Sequence, residues 1–395
     1  MPSTQHPMRR VWYITLAHTA VDFYMALFPP LLALFKAHFA LSLVQASLLP
    51  TVVSVFGALP QPLMGYLGDR TNRMALAALG VCLSGIFISA LCFAPSALVL
   101  ALFLFMAALG SSLFHPTGGG LVTTYVPYRS NLAMAIFLTG GPLGMAIAPI
   151  TCTQIVERYG LGQLWILVFP SLIASLLLFR LSRTEQPEGT PPPHRRINLA
   201  HFRTTAMRPL WVLYGISVFR SLVHAVYISF LSFLGEDRGW SIASIGWILS
   251  AYLLSSTLGR MAGGYIGDRV SPRKLLALSN ALSPLIYIGF CSTTAPAALP
   301  LLFLAAFTFD TGATTNIVLA QRLLPQNVST ATGMVMGFSW GTAGILIPLV
   351  GILAETTSVA FALACVSGLL LPAAALVAAL PAEQQQAYEP ATESD

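Results

Sequence analysis

Apolar residues run along this chain in long blocks, separated by short polar or Pro/Gly breaks. Cutting at those breaks gives blocks over about 11–35, 44–66, 74–94, 97–125, 130–155, 162–182, 209–234, 243–266, 274–293, 297–320, 328–354 and 358–380. A helix that crosses the hydrocarbon core of a bilayer needs ~20 mostly apolar residues, and these blocks have that length. They are too long for barrel strands, and backbone groups in lipid need partners within their own segment. The pattern therefore predicts an all-α polytopic membrane protein with twelve transmembrane helices. One long polar stretch, RTEQPEGTPPPHRRINLAHFRTTAMR at 183–208, divides the blocks six and six. The expected organisation is a six-helix half over 1–182, a linker over 183–208, a second six-helix half over 209–381, and an acidic polar tail over 382–395.

Composition agrees with the pattern and removes the alternatives. Of 395 residues, 56% are hydrophobic and 9% charged, and the mean hydropathy is +0.75. Soluble domains carry roughly 25% charged residues, so a soluble fold has too few polar groups to cover its surface. High apolar content likewise excludes disorder. The five cysteines (Cys82, Cys92, Cys152, Cys291, Cys365) all fall inside apolar blocks without metal-ligand spacing, and read as small hydrophobes rather than disulfides or ligands. The first apolar block carries Asp22 and lacks a small-residue cleavage site, so it reads as a retained span rather than a signal peptide.

Charge sets the expected orientation. With the N-terminus cytoplasmic, that side collects Arg9, Arg10, Arg70, Arg73, Arg129, Arg180, Arg183, Arg195, Arg196, Arg203, Arg208, Arg269, Arg273, Lys274 and Arg322, and the other side Lys36, Arg158 and Arg238. Fifteen against three is a strong positive-inside bias, with both termini cytoplasmic. The basic residues stand in short clusters between apolar runs, which argues against a nucleic-acid partner and for a lipid bilayer.

The chain also repeats itself. Gly65-Tyr66-Leu67-Gly68-Asp69-Arg70 recurs as Gly264-Tyr265-Ile266-Gly267-Asp268-Arg269, each copy in the loop expected after the second span of its half. Asn131-Leu132-Ala133 after Pro127 is echoed by Ser329-Thr330-Ala331 after Pro325. Two similar halves in one membrane orientation imply a pseudo-twofold axis along the membrane normal, with a cavity between them.

GYLGDRTNR and GYIGDRVSPR resemble the loop signature of the major facilitator superfamily, G-x-L-a-D-R-x-G-R-[RK]. The resemblance implies alternating access, with Gly65, Asp69, Arg70, Arg73, Gly264, Asp268, Arg269 and Arg273 forming a cytoplasmic latch that breaks as the halves rock. A plain topological role for the arginines is the simpler alternative. A narrower likeness covers most of the chain. Ala17-His18 with Asp22, Gln61-Pro62-Leu63-Met64-Gly65-Tyr66, Gly110-Ser111-Ser112-Leu113-Phe114-His115-Pro116, Gly140-Gly141, and Ala320-Gln321-Arg322-Leu323-Leu324-Pro325 are similar to the fosmidomycin-resistance family. That family implies a bacterial inner-membrane exporter driven by proton entry, with no cofactor beyond the proton gradient. The chain departs from it at Thr117 and Arg322, where acids are common in the family, at Leu138, where a glutamine is common, and at Ala148-Pro149 in place of Gly-Pro.

Ionisable side chains inside spans are costly, by ~2.5–3.5 kcal/mol on insertion scales, and each is a functional candidate. Asp22 and His18 share a face of the first span (i, i+4). A carboxyl there can accept a proton from one side and release it to the other, or it can simply lock packing. His115 stands before Pro116 in the fourth span, followed by Gly118-Gly119-Gly120, with structural and functional roles both open. Arg220 and His224 share a face of the seventh span. Arginine keeps its charge, so Arg220 needs an acid such as Asp22 or Asp310, or an anionic substrate that it grips through two parallel hydrogen bonds. Asp310, beside Thr311, Thr314, Thr315 and Asn316, is a second proton-site candidate or a partner for Arg220. Arg260, near the cytoplasmic end of the eighth span, is assigned to topology or the gate. Tyr24, Phe28, Phe137, Tyr227, Phe338 and Trp340 are candidate cavity aromatics. Small-residue faces at Gly140, Gly141 and Gly144, and at Gly333, Gly337, Gly341 and Gly344, are read as close helix packing along which the halves rock.

These readings favour a proton-coupled transporter that exports a small organic anion or a fosmidomycin-like drug in exchange for protons, with Asp22 and Asp310 as proton sites. His18, Tyr24, His115, Phe137, Arg220, His224, Tyr227 and Asn316 are the expected cavity residues. A symporter importing a small organic anion is the alternative in the same class. An enzyme would need a nucleophile with a base or a cluster such as HExxH, and the sequence offers neither. No metal site is expected, and the protein is expected to act as a monomer.

Overall fold

The computed structural model describes residues 7–126, 130–184, 207–324 and 331–381. They form twelve helices long and apolar enough to span a membrane: α1 Met8–His38, α2 Leu43–Arg70, α3 Arg73–Phe93, α4 Ala97–Val122, α5 Leu132–Tyr159, α6 Leu161–Ser182, α7 Arg208–Asp237, α8 Ile242–Gly267, α9 Pro272–Cys291, α10 Leu299–Leu323, α11 Gly333–Thr356 and α12 Val359–Ala379. Most of the linker expected over 183–208, the tail over 382–395, and the residues Pro127, Pro325, Ser329 and Thr330 lie outside the described residues. The five cysteines are free.

The short polar breaks that separated the hydropathy blocks work as helix caps. Ser42, Asn72, Ser96, Ser241, Ser271 and Ser358 each accept a hydrogen bond from a backbone N–H in the first turn of the helix that follows, supplying a partner to a donor the helix leaves open. Breaks inside the spans have equally local causes. A short 3-10 turn at Pro29–Leu31 interrupts α1, and α2 is interrupted before Gln61, with Pro60 and Pro62 around the break, because proline removes a donor and crowds the preceding turn. Gly312 interrupts α10.

One expectation needs correction. The Gly-Tyr-x-Gly-Asp-Arg repeats are not loops: Gln61–Arg70 is helical to its last residue, and α8 continues to Gly267 with Asp268 as its C-cap. The connections to the next helix are only the few residues up to Asn72 and Ser271. We call the face with these connections the motif face.

The helices form two six-helix halves, α1–α6 and α7–α12, joined unevenly. Toward the face opposite the motifs, a single apolar core crosses both halves and includes Phe28, Leu31, Leu49, Val223, Phe230 and Ile347. Toward the motif face there are two separate cores. Val11, Met74, Phe114 and Leu178 belong to one half; Leu210, Leu276, Ala320 and Val377 belong to the other. Polar contacts follow the same division. Lys36 Nζ lies 3.2 Å from Glu236 Oε2, and the backbone N–H of Val44 donates to Glu355 Oε2 at 2.9 Å. Ile150 N donates to Ser250 Oγ at 3.1 Å, tying α5 to α8.

Small residues make the inter-half seam close. A Cβ on Gly344 of α11 would sit 2.6 Å from Ser54 Cβ of α2, and one on Gly341 would enter the Leu59 side chain. Gly140 and Gly144 behave differently from expectation: they press against the backbone of Thr15 and Thr19 in α1, so they close α5 onto its own half rather than onto the other. The molecule is therefore sealed toward the opposite face and parted toward the motif face.

Candidate functional site

Asp22 sits near the middle of α1 and contacts two histidines. His18 Nε2 lies 3.3 Å from Asp22 Oδ2, and His115 Nε2, from α4, lies 3.2 Å from Asp22 Oδ1. The other nitrogen of each ring is anchored. His18 Nδ1 donates to the carbonyl of Phe137 at 2.8 Å, and His115 Nδ1 donates to the carbonyl of Ser111 at 2.8 Å. Phe137 stacks on His18 with ring centroids 4.3 Å apart. Gly141 of α5 makes room for the group, since a Cβ there would overlap Asp22 Oδ2. Among the three, the His115 side chain is the most accessible, at 28%.

This geometry fixes where protons are needed. A carbonyl oxygen only accepts, so both Nδ1 atoms carry hydrogen. Each Nε2 then faces a carboxylate oxygen, and each contact requires one proton, on the imidazole or on Asp22. Removing one sets a nitrogen lone pair against an oxygen in a buried site, at a cost of ~1–3 kcal/mol. The triad thus couples its proton count to the spacing of α1, α4 and α5. Its three donor atoms lie within 4.8 Å of one another, a spacing that also suits a metal ion.

The second half carries a cationic cluster at Asp310. Arg220 Nη1 donates to Asn280 Oδ1 at 2.6 Å, and Nη2 donates to the carbonyl of Phe309 at 2.7 Å, where α10 is broken at Gly312. The guanidinium stacks 4.2 Å over the Phe309 ring, and Nη2 is 3.8 Å from Asp310 Oδ1. Ser256 donates a short hydrogen bond to Asp310 Oδ2. Arg260 Nη2 reaches the same oxygen at 3.3 Å. Two arginines thus share one carboxylate, leaving a net positive charge at membrane depth.

Several expected cavity residues are elsewhere. Tyr24 is buried, and its hydroxyl donates to the carbonyl of Leu167 at 2.6 Å, packing α1 against α6. Tyr227 has no exposed surface: its ring lies 4.2 Å from that of Tyr287, and its hydroxyl is 2.8 Å from Ser367 Oγ. Phe28 is buried in the shared core. Each aromatic ring is large enough that burial against neighbouring helices outweighs exposure to a water-filled cavity. Arg220 is also buried, with Nη1 and Nη2 each donating to a protein partner, so burial holds it away from a substrate. His224 lies among Tyr252, Phe309 and Trp340, with Trp340 closest at 5.4 Å. Asn316 donates to Ser217 Oγ at 2.6 Å. His18 and His115 come together, with ring centroids 5.1 Å apart, and His224 belongs to the other half.

The motif residues are knitted within their own halves. Asp69 forms a short ion pair with Arg73, one turn away, and Arg73 also donates to Thr124 Oγ1 at 3.4 Å. Arg70 stacks on Tyr66 at 3.6 Å and Arg269 on Tyr265 at 3.5 Å. Arg273 caps the end of α12 through the carbonyls of Val377 at 3.1 Å and Ala378 at 2.9 Å. Gly65 and Gly68 bring α2 against Pro116 and Thr117 of α4, whereas Gly264 has open space where its Cβ would be.

The family model described as Major Facilitator Superfamily matches residues 14–223 and 213–394. The chain belongs to the Major Facilitator Superfamily. Among its relatives, the fosmidomycin resistance protein of Escherichia coli (strain K12) is 26% identical over 361 residues, covering 88% of this chain and 86% of that protein. The uncharacterized MFS-type transporter YfnC of Bacillus subtilis (strain 168) is 23% identical, covering 90% of each. Solved facilitator structures share the fold. A bacterial homologue of the human lysosomal transporter Spinster, inward-facing and unoccupied, aligns with a TM-score of 0.79 at 18% identity, over 95% of this chain and 97% of that one. The xylose transporter XylE from E. coli, in an inward open conformation, gives 0.74 at 13% identity, over 96% and 98%.

Within this facilitator, sequence reasoning missed Arg260. Its place near the end of a span suggested an arginine reaching for headgroups. Its carboxylate partner, Asp310, stands on another helix, so helical spacing did not pair them.

Proposed function

We propose that this facilitator is a proton-coupled transporter that exports a small organic anion by alternating access. Asp22 with His18 and His115 holds the coupling protons, and the cationic cluster around Asp310 gives the cavity its preference for anions. The observation that carries this reading is the pair of Nε2–carboxylate contacts on Asp22. Both rings are pinned through Nδ1, so loss or gain of a proton acts on helix spacing and not on ring rotation.

The arginine-rich motif face is assigned to the cytoplasm by the positive-inside rule, which puts the parted side of the molecule toward the cytoplasm and makes this an inward-open state. The Asp69–Arg73 and Arg273–α12 contacts would then be rearranged into a latch between halves when the cavity opens outward. Likeness to the E. coli fosmidomycin resistance protein favours export and a phosphonate-like cargo. The same likeness supports a bacterial inner-membrane location.

Inverted vesicles carrying the protein provide the test. Given a proton gradient, they are expected to accumulate fosmidomycin or another small phosphonate or carboxylate, and to stop when the gradient is collapsed. Accumulation indifferent to the gradient would contradict proton coupling.

A further inference from the structure

Asp310 has two cationic neighbours, and they differ in their freedom to leave. Arg220 is 7% exposed, held by hydrogen bonds to Asn280 and the Phe309 carbonyl and by the charge of Asp310 3.8 Å away. The Arg260 side chain is 43% exposed. Its one side-chain hydrogen bond among the described residues is the 3.3 Å contact to Asp310 Oδ2. Asp310 itself is 3% exposed.

The direction of that exposure follows from the helix. Gly246, Leu253, Thr257, Arg260 and Gly264 are spaced 7, 4, 3 and 4 residues apart, and so share one face of α8. Gly246 on this face meets Thr153 of α5, in the other half. Lipid-type exposure lies elsewhere on α8: Trp247, Leu254, Leu258, Met261 and Tyr265 form an exposed apolar stripe. Gly259 and Gly263 turn a third face onto the backbone of Phe307 and Thr311 in α10. Arg260 therefore points between the two halves, on the side where they part, and not into lipid.

We propose that Arg260 is the oxyanion receptor of this cavity, and that Asp310 is its resting partner, displaced from it by a carboxylate or phosphonate group of the substrate. The reading of this chain as an anion transporter underlies the proposal. The exchange leaves no buried charge stranded. When Arg260 turns to the ligand, Asp310 keeps Ser256 and Arg220. When the ligand leaves, Arg260 returns to Asp310, so the empty cavity can close over a paired arginine. A guanidinium with one N–H held and the others free is suited to an oxyanion with two oxygens in a plane. The surplus positive charge of two arginines on one acid repels cationic cargo.

Residue-resolved modification by phenylglyoxal, an arginine-specific dicarbonyl, tests this on the wild-type protein in detergent. Arg260 is expected to react and Arg220 to stay protected. Methylphosphonate should slow the Arg260 reaction and leave exposed Arg9 unchanged. Asp310→Asn, which removes the competitor, should lower the methylphosphonate concentration for half-protection by about tenfold, the size of one charge-assisted hydrogen bond. Equal Arg260 reactivity with and without methylphosphonate, acetate and fosmidomycin would overturn the proposal, as would unimpaired anion transport by Arg260→Gln. Protection of Arg260 in a protein that moves no anion into vesicles would instead sink the transport reading and leave this site standing.

Discussion

His115 Nε2 stands 3.2 Å from Asp22 Oδ1 across the gap between α4 and α1. The two residues are far apart in sequence, and their contact is what turns an i, i+4 pair on one helix into a junction of three helices. Replacing Asp22 by Asn keeps the shape and removes the charge. At equal abundance, Asp22→Asn is expected to lower gradient-driven transport by about tenfold or more, while His115→Gln, which leaves the His18 contact, loses less. Initial rates in inverted vesicles measure both.

Gly141 is the packing test of the same junction. A Cβ there would overlap Asp22 Oδ2 and crowd His18 Nε2, 2.8 Å away. Gly141→Ala is expected to cost ~1–3 kcal/mol, read as a lowered midpoint of thermal unfolding in detergent. Gly264→Ala, whose Cβ meets open space, should leave the midpoint close to wild type.

Burial of Tyr227 separates core from cavity. Tyr227→Phe removes the hydroxyl that contacts Ser367 and should cost ~0.5–1.5 kcal/mol of stability, with the transport KM unchanged. A raised KM with unaltered stability would mean that the ring meets substrate.

Closure of the opposite face makes a further prediction. Lys36 and Glu236 join the halves at 3.2 Å, in an exposed pair worth ~0–1 kcal/mol, so single neutral substitutions should scarcely change stability. The double variant Lys36→Cys/Glu236→Cys, once oxidised, should hold the halves together there and stop transport, with recovery on reduction. Undiminished turnover of the cross-linked protein would show that this seam does not open.

Much of the architecture was legible in the sequence because lipid imposes it. Twelve spans follow from apolar length, and the capping residues Ser42, Asn72, Ser96, Ser241, Ser271 and Ser358 stand at their breaks. The duplicated Gly-Asp-Arg segments pointed to two halves. What the repeat did not reveal was its conformation: the first copy is helical through Arg70 and the second through Gly267, so most of each copy extends its helix. Asp22 with His18 was readable from helical spacing alone. Their meeting with His115 depends on how α4 crosses α1, which spacing does not encode. Tyr24, Tyr227 and Arg220 were misplaced for a related reason. When all sides of a helix are apolar, hydropathy does not distinguish the side facing a cavity from the side facing a neighbour. Arg260 was hidden because its partner, Asp310, lies 50 residues away on another helix.

Proton movement is the most direct measure of the central claim. Inverted vesicles holding an acidic interior and a pH-sensitive dye would receive fosmidomycin, then a series of small phosphonates and carboxylates, with wild type and Asp22→Asn compared at equal abundance. The account predicts that at least one anion releases protons through the wild type and that the same anion releases none through Asp22→Asn. An equal proton response from both proteins, or anion transport by the wild type with no proton release, would contradict it.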